Sequence, residues 1–143
     1  MSDGQGLPLA VAISPGQSHE SKHFEETMNA VRIPRPQGRP RTRPKRVAAD
    51  KAYSNRRIRT WCWDHRIAAV IPRKSNETGR HGAKRPFDRE TYRRRNVVER
   101  CIALLKECRR IATRFEKLAR SYLAMLKLAM IDRYFRMNFS NTA

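Results

Sequence analysis

Asp50 closes a short apolar run, Val47-Ala48-Ala49, and Glu99 lies within a long stretch of helical periodicity. Carboxylates delivered by a strand end and a helix face can converge on one divalent cation. Hard Mg²⁺ takes oxygen ligands and keeps several waters, so one or two protein acids per ion suffice. Two such ions, about 4 Å apart, activate an attacking oxygen and stabilise a leaving one in phosphodiester chemistry. Exposed acids also pair with arginines, and spacing alone favours that simpler arrangement. The surroundings of Glu99 are more specific. Tyr92, Arg95, Glu99 and Lys106 follow at gaps of three, four and seven residues. On one continuous helix those gaps put Arg95, Glu99 and Lys106 on one side. A carboxylate flanked by cations suits a metal bordered by phosphates; the alternative is an i,i+4 Arg–Glu pair on a solvated face.

The composition points the same way. The chain has 143 residues, with 32 Lys and Arg against 13 Asp and Glu, a formal charge of +19. Such a chain calls for a polyanion, and charge alone leaves DNA and RNA even. Its cations are most concentrated between Arg32 and Arg46, seven basic residues with four prolines and no acid. Proline fixes φ and removes donors, so this reads as an extended or flexible loop. It is either a solvated linker or an arm whose Arg39, Arg41, Arg43, Lys45 and Arg46 contact phosphates. The three cysteines, Cys62, Cys101 and Cys108, lack zinc-ligand spacing and read as reduced thiols in a cytosolic compartment. Met1–Ala12 has no signal-peptide pattern, and Leu123–Ile131, broken by Lys127, is too short to span a bilayer; no membrane partner is expected.

The elements that must position these residues follow from pattern. Asp3-Gly4-Gln5-Gly6 is a turn, and Leu7–Ile13 reads as the strand after it, residues 3–13 forming a hairpin. Ser21–Val31 has helical spacing of Phe24, Met28 and Val31. Residues 47–72 read as strand, helix, strand, with Ser54 as the helix cap and Ile67–Ile71 as the second strand. Trp61 and Trp63 read as packing residues of that helix rather than as base-stacking platforms, the alternative use of such side chains. Arg73–Glu90 is polar loop. Residues 91–137 are helical: one helix from Thr91 to about Arg114 and another over Glu116–Met137, its inner face carrying Leu118, Tyr122, Met125, Leu126, Ala129 and Met130. The order predicts an α/β fold, a small mixed sheet with helices packed on it and two long C-terminal helices.

Tyr92-x2-Arg95-x3-Glu99-x6-Lys106 resembles the Y-(2)-R-(3)-E-(6)-K motif of bacterial insertion-sequence DDE transposases. The whole run from Tyr92 to Ala129 resembles the last part of that family. ADKAYSN, Ala49–Asn55, resembles the segment carrying its second catalytic aspartate, and Asp3–Ser21 the hairpin and strand upstream. The resemblance covers nearly the whole chain, in order. It implies a ribonuclease-H-like fold and a pair of Mg²⁺ (or Mn²⁺) ions held by two Asp and one Glu. Asp50 and Glu99 are then catalytic metal ligands, and Tyr92, Arg95 and Lys106 grip transposon-end DNA. The implied chemistry is hydrolysis to expose a 3′-hydroxyl, then attack of that hydroxyl on target DNA, with no covalent protein intermediate.

The family's first catalytic Asp lies on a strand before the hairpin, and no residue here matches it; Asp3 belongs to the turn. The chain is therefore expected to be an N-terminally truncated catalytic domain, inert by itself, with an unpaired sheet edge beside Leu7–Ile13 that favours oligomers or low solubility. It is either a decayed remnant or the downstream frame of a frameshifted pair. Its expected partners are double-stranded DNA at element ends and target, together with another transposase chain or the upstream-frame product. Its expected location is the bacterial cytoplasm, at the nucleoid. Two rival readings stand beside this one: a non-catalytic DNA-binding module that regulates a full-length transposase, and a basic RNA-binding protein.

Overall fold

The computed structural model describes residues 1–75 and 86–139. The chain divides into two compact units, Ser14–Arg95 and a second made of Met1–Ile13 with Asn96–Ala143. Most of the loop expected at Arg73–Glu90 lies outside the described residues.

In the unit Ser14–Arg95, a 3-10 turn at Glu20–His23 leads into α1 (Phe24–Asn29). Strands β1 (Arg46–Ala48) and β2 (Ala68–Val70) pair in parallel, Arg46 opposite Ala68 and Ala48 opposite Val70. Parallel neighbours cannot be joined by a tight turn, and α2 (Arg56–Asp64) supplies the crossover. Among the described residues this pair is the whole sheet, so the expected mixed sheet is corrected to a parallel one. Asn55 rather than Ser54 caps α2, its extended backbone letting Oδ1 accept the Ile58 N–H at 2.9 Å. Ser54 is buried and accepts from Arg59 Nη2 at 2.8 Å; the same nitrogen donates to Ile71 O at 3.1 Å, tying the exit of β2 to the start of α2.

The core of this unit is Phe24, Met28 and Val31 against Ile58, Cys62, Ile67, Val70 and Ile71. Phe24 meets Trp61 edge-on with centroids 5.6 Å apart. Ile58 is fully buried, and its truncation to Ala leaves a cavity that neighbours fill only in part. Ile58→Ala is expected to lower stability by about 2–5 kcal/mol, measured by urea denaturation; an unchanged midpoint would mean that this packing is not what holds the unit.

The basic segment before β1 is not simply extended. Ile33 and Arg41 exchange backbone hydrogen bonds at 2.9 and 2.8 Å, and Gly38, at φ +82°, turns the chain between them. Positive φ is a conformation glycine adopts without strain. The segment is thus a proline-stiffened reversal, and Arg46 already belongs to β1.

In the second unit, Asp3–Gly6 forms the expected turn. Asp3 Oδ1 accepts from Gln5 N–H at 2.8 Å and Leu7 N–H at 2.9 Å, with Gly6 at φ +93°. The expected strand Leu7–Ile13 does not form: only the bridge Ser2 to Pro8 is present. Pro8 has no N–H to donate, which limits any ladder here.

The single helix expected over Thr91–Arg114 is three. These are α3 (Arg89–Arg93), which belongs to the first unit, and α4 (Asn96–Lys106) and α5 (Arg109–Thr113) in the second. Backbone bonds Arg95 N–H to Tyr92 O and Cys108 N–H to Leu105 O close tight i→i−3 turns at the two breaks. Arg114, in the left-handed region at φ +49°, ends α5.

On helix α6 (Ala119–Phe139) Leu126 is buried and Tyr122, Met125, Ala129 and Met130 are half-buried, while Leu118 precedes the helix and is exposed. Tyr134 Oη donates to Pro8 O at 2.9 Å, tying α6 to the hairpin. No described helix is long and apolar enough to cross a membrane.

Candidate functional site

Asp50 follows β1 directly, at the carboxyl end of the parallel pair, where Ala49 N–H extends the ladder to Val70 O at 3.4 Å. Its Oδ1 accepts the Ala52 N–H at 2.8 Å and caps a 3-10 turn, Lys51–Tyr53. Oδ2 accepts no hydrogen bond among the described residues. A half-buried carboxylate with one oxygen fixed and the other open suits a hard divalent cation that completes its shell with water.

Two neighbours escaped sequence reasoning. Tyr53 stacks obliquely on Phe24 at 6.1 Å, and burial pushes its hydroxyl up to about 12, with the acidic Glu20 and Asp50 adding to the rise. The spacing Asp50–Tyr53 was visible, but Glu20 arrives from a separate turn that no local pattern links to Asp50. On the core side of α2, burial pushes the Cys62 thiol up to about 11, opposed in part by Arg59. Both groups hold their protons to higher pH folded than unfolded. Their contribution is complete below the unfolded values of 9.0 and 10.0 and is lost as pH rises through the folded ones. Stability is therefore expected to decline between about pH 9 and 12, followed by urea denaturation at each pH. Cys62→Ala and Tyr53→Phe should each flatten that decline, and an unchanged profile in both variants would contradict the assignment.

Tyr92 and Arg95 are brought together, with the Arg95 guanidinium 5.9 Å from the Tyr92 ring centroid and Phe87 packing on that ring at 5.3 Å. Helix α3, which carries Tyr92, is anchored by Asp88. Oδ1 accepts the Thr91 N–H at 2.8 Å and Oδ2 the Thr91 hydroxyl at 2.6 Å, while Arg46 Nη1 bridges from β1 to Asp88 Oδ2 at 3.1 Å and Thr91 Oγ1 at 2.8 Å. The Thr91 hydrogen bonds, then Arg46, hold the Asp88 carboxyl below its usual range. Arg46, predicted to touch DNA, thus has an internal tie.

Glu99 and Lys106 are exposed, two turns apart on one face of α4. Arg95 is not on that helix; it lies in the turn before Asn96, so the expected continuous Arg95–Glu99–Lys106 face is corrected. Asp50, Tyr92 and Arg95 belong to the first unit, Glu99 and Lys106 to the second. Among the described residues no three His, Cys, Asp or Glu side chains cluster as a metal-ligand set.

Arg39, Arg41, Arg43 and Lys45 all lie exposed on the basic reversal. Among the described residues Arg39, Arg43 and Lys45 have no side-chain partner, and Arg41 Nε donates only to Arg43 O at 3.2 Å. The tryptophans differ from each other: Trp61 is half-buried and stacks on His65 at 3.8 Å, whereas Trp63 is 78% exposed and is not a packing residue.

Residues 1–131 match the family described as transposase DDE domain. A Burkholderia cepacia protein that carries the name of a transposase for insertion sequence element IS402 is 33% identical over 129 residues, 90% of this chain. The chain spans 57% of that relative's length. No solved structure matches it.

Proposed function

Because the chain belongs to the transposase DDE domain family, whose members act on DNA, we propose that it is the part of an insertion-sequence transposase that supplies two of three metal-holding acids, Asp50 and Glu99, on a ribonuclease-H-like framework. The observation that carries this reading is Asp50 at the carboxyl end of a parallel strand, with Oδ2 open and an exposed Glu99 in the family's motif. Strand carboxyl ends are where α/β folds gather their reactive groups. Asp50 and Glu99 are the acids that would hold Mg²⁺ or Mn²⁺, and the chemistry such an ion would supply is activation of an attacking oxygen and stabilisation of the departing one at a phosphodiester.

The remaining residues bind and orient. Arg39, Arg41, Arg43 and Lys45 neutralise backbone phosphates of element-end or target duplex. Arg46 does so only after sharing its charge with Asp88. Tyr92 holds the Arg95 guanidinium toward DNA through their cation–π contact, and Lys106 extends the cationic face of α4 beyond Glu99. The setting is the bacterial cytoplasm, at the nucleoid. The third acid has no counterpart among these residues, since Asp3 is consumed by its turn. These 143 residues alone therefore hold DNA without cutting it, which also suits a regulator that co-assembles with a longer transposase.

The test is the purified chain with labelled element-end duplex and Mg²⁺ or Mn²⁺. Salt-sensitive binding without cleavage is expected. Robust nicking that Asp50→Ala abolishes would overturn the incompetence of the chain alone, and preference for structured RNA over duplex DNA would overturn the transposase reading.

A further inference from the structure

Trp63 is the most exposed large hydrophobic residue described, at 78%, and it makes no ring stacking or cation–π contact among the described residues. Exposed charged residues border it in the chain, Asp64 next to it and arginines on both sides. Arg56 sits seven residues before it, two turns along the same face of α2, and is exposed. Arg66 follows three residues after it, exposed, with its backbone N–H bonded to Trp63 O at 2.9 Å. Neither guanidinium has an ion pair or hydrogen bond among the described residues. The other arginines of α2 are committed, Arg57 to Ser21 O and Glu25, Arg59 to Ser54 and Ile71 O.

We propose that Trp63, flanked by Arg56 and Arg66, is a stacking platform for an unpaired nucleotide strand. A lone indole ringed by charge is a poor core for a protein interface, where charged residues are depleted at the centre. Two uncommitted, exposed arginines, one before and one after an exposed aromatic in the chain, instead match a strand whose phosphates meet the cations while one base lies on the ring. A paired duplex hides its base faces, so the site favours unpaired nucleotides over duplex. The cationic reversal at Arg39–Lys45, by contrast, presents charge without any aromatic and takes either form. This inference rests on the nucleic-acid reading but not on the carboxylate pair.

The experiment compares wild type, Trp63→Ala and Trp63→Phe for binding to oligo(dT) and to a blunt duplex of equal length at one salt concentration. Binding is followed by anisotropy of labelled DNA. Trp63→Ala is expected to weaken oligo(dT) binding about tenfold, the order of one lost base–aromatic stack, with duplex affinity within about twofold. Trp63→Phe should restore most of the loss. Arg56→Gln with Arg66→Gln should weaken oligo(dT) binding and lower its salt dependence. Equal losses on both DNAs, or none on oligo(dT), overturn the proposal. So does loss of self-association in Trp63→Ala with oligo(dT) binding intact, which would make this face a contact between copies. Absence of duplex binding in the wild type would instead strike the transposase reading while leaving the oligo(dT) comparison readable.

Discussion

Asp50→Asn is expected to reduce metal-dependent strand cleavage by about a thousandfold or more in an assembly where these residues work beside the third acid. The substitution separates two roles that Asp50 combines. Asparagine keeps an oxygen that can accept the Ala52 N–H, so the 3-10 turn after β1 survives. It loses the negative charge and the open hard-oxygen ligand. Thermal stability and duplex affinity should stay near wild type while cleavage of element-end DNA in Mg²⁺ disappears. Asp50→Ala removes the cap as well, at a cost of about 1 kcal/mol. Glu99→Gln should match Asp50→Asn, and the double variant should be scarcely worse than either, because groups that act as one unit are lost as one. Cleavage by Asp50→Asn at the parental rate would end the assignment of this carboxylate to a metal.

Replacing Arg39, Arg41, Arg43 and Lys45 together by Gln should lower the slope of log affinity against log salt for duplex DNA by about 3 to 4, at roughly 0.9 per neutralised phosphate. Over a fourfold change in salt that slope difference amounts to a hundredfold, on the order of magnitude. The exchange leaves the backbone bridge from Ile33 to Arg41 intact, because its bonds use no side chain. Arg46 is spared because Asp88 and Thr91 hold it. Superimposable salt titrations of parent and variant would show that the reversal carries no phosphates.

The parts of the fold written in local pattern were legible. The β1–α2–β2 crossover follows from two short apolar runs around an amphipathic helix. The turn at Asp3–Gly6 was signalled by its own residue types. What failed depended on features with no local signature. The breaks at Arg94–Arg95 and Glu107–Cys108 contain neither Gly nor Pro, and the apolar period runs straight through them. Periodicity records which side chains turn inward, not whether the axis bends. Trp63 was read as core because large apolar side chains usually are; its exposure is set by Ile58 and Cys62, which already fill the buried side of α2. Of the candidate site, the place of Asp50 just after a short apolar strand was legible, whereas the Tyr92–Arg95 contact was not foreseen, because the break at Arg94–Arg95 takes Arg95 off the helix that carries Glu99. Glu20 near the turn that Asp50 caps was not legible either, because it arrives from a separate 3-10 turn distant in sequence.

On the proposed function, the cross-bridged segment between Ile33 and Arg41 bears on how DNA would be met. Pro34, Pro36, Pro40 and Pro44 restrict φ, and the paired backbone bonds close the bend before any ligand arrives. A preformed hook of this kind sacrifices little disorder on docking. Its encounter with a duplex should carry a small heat-capacity change and a favourable entropy from displaced counterions, unlike the large ordering signature of tails that fold as they bind.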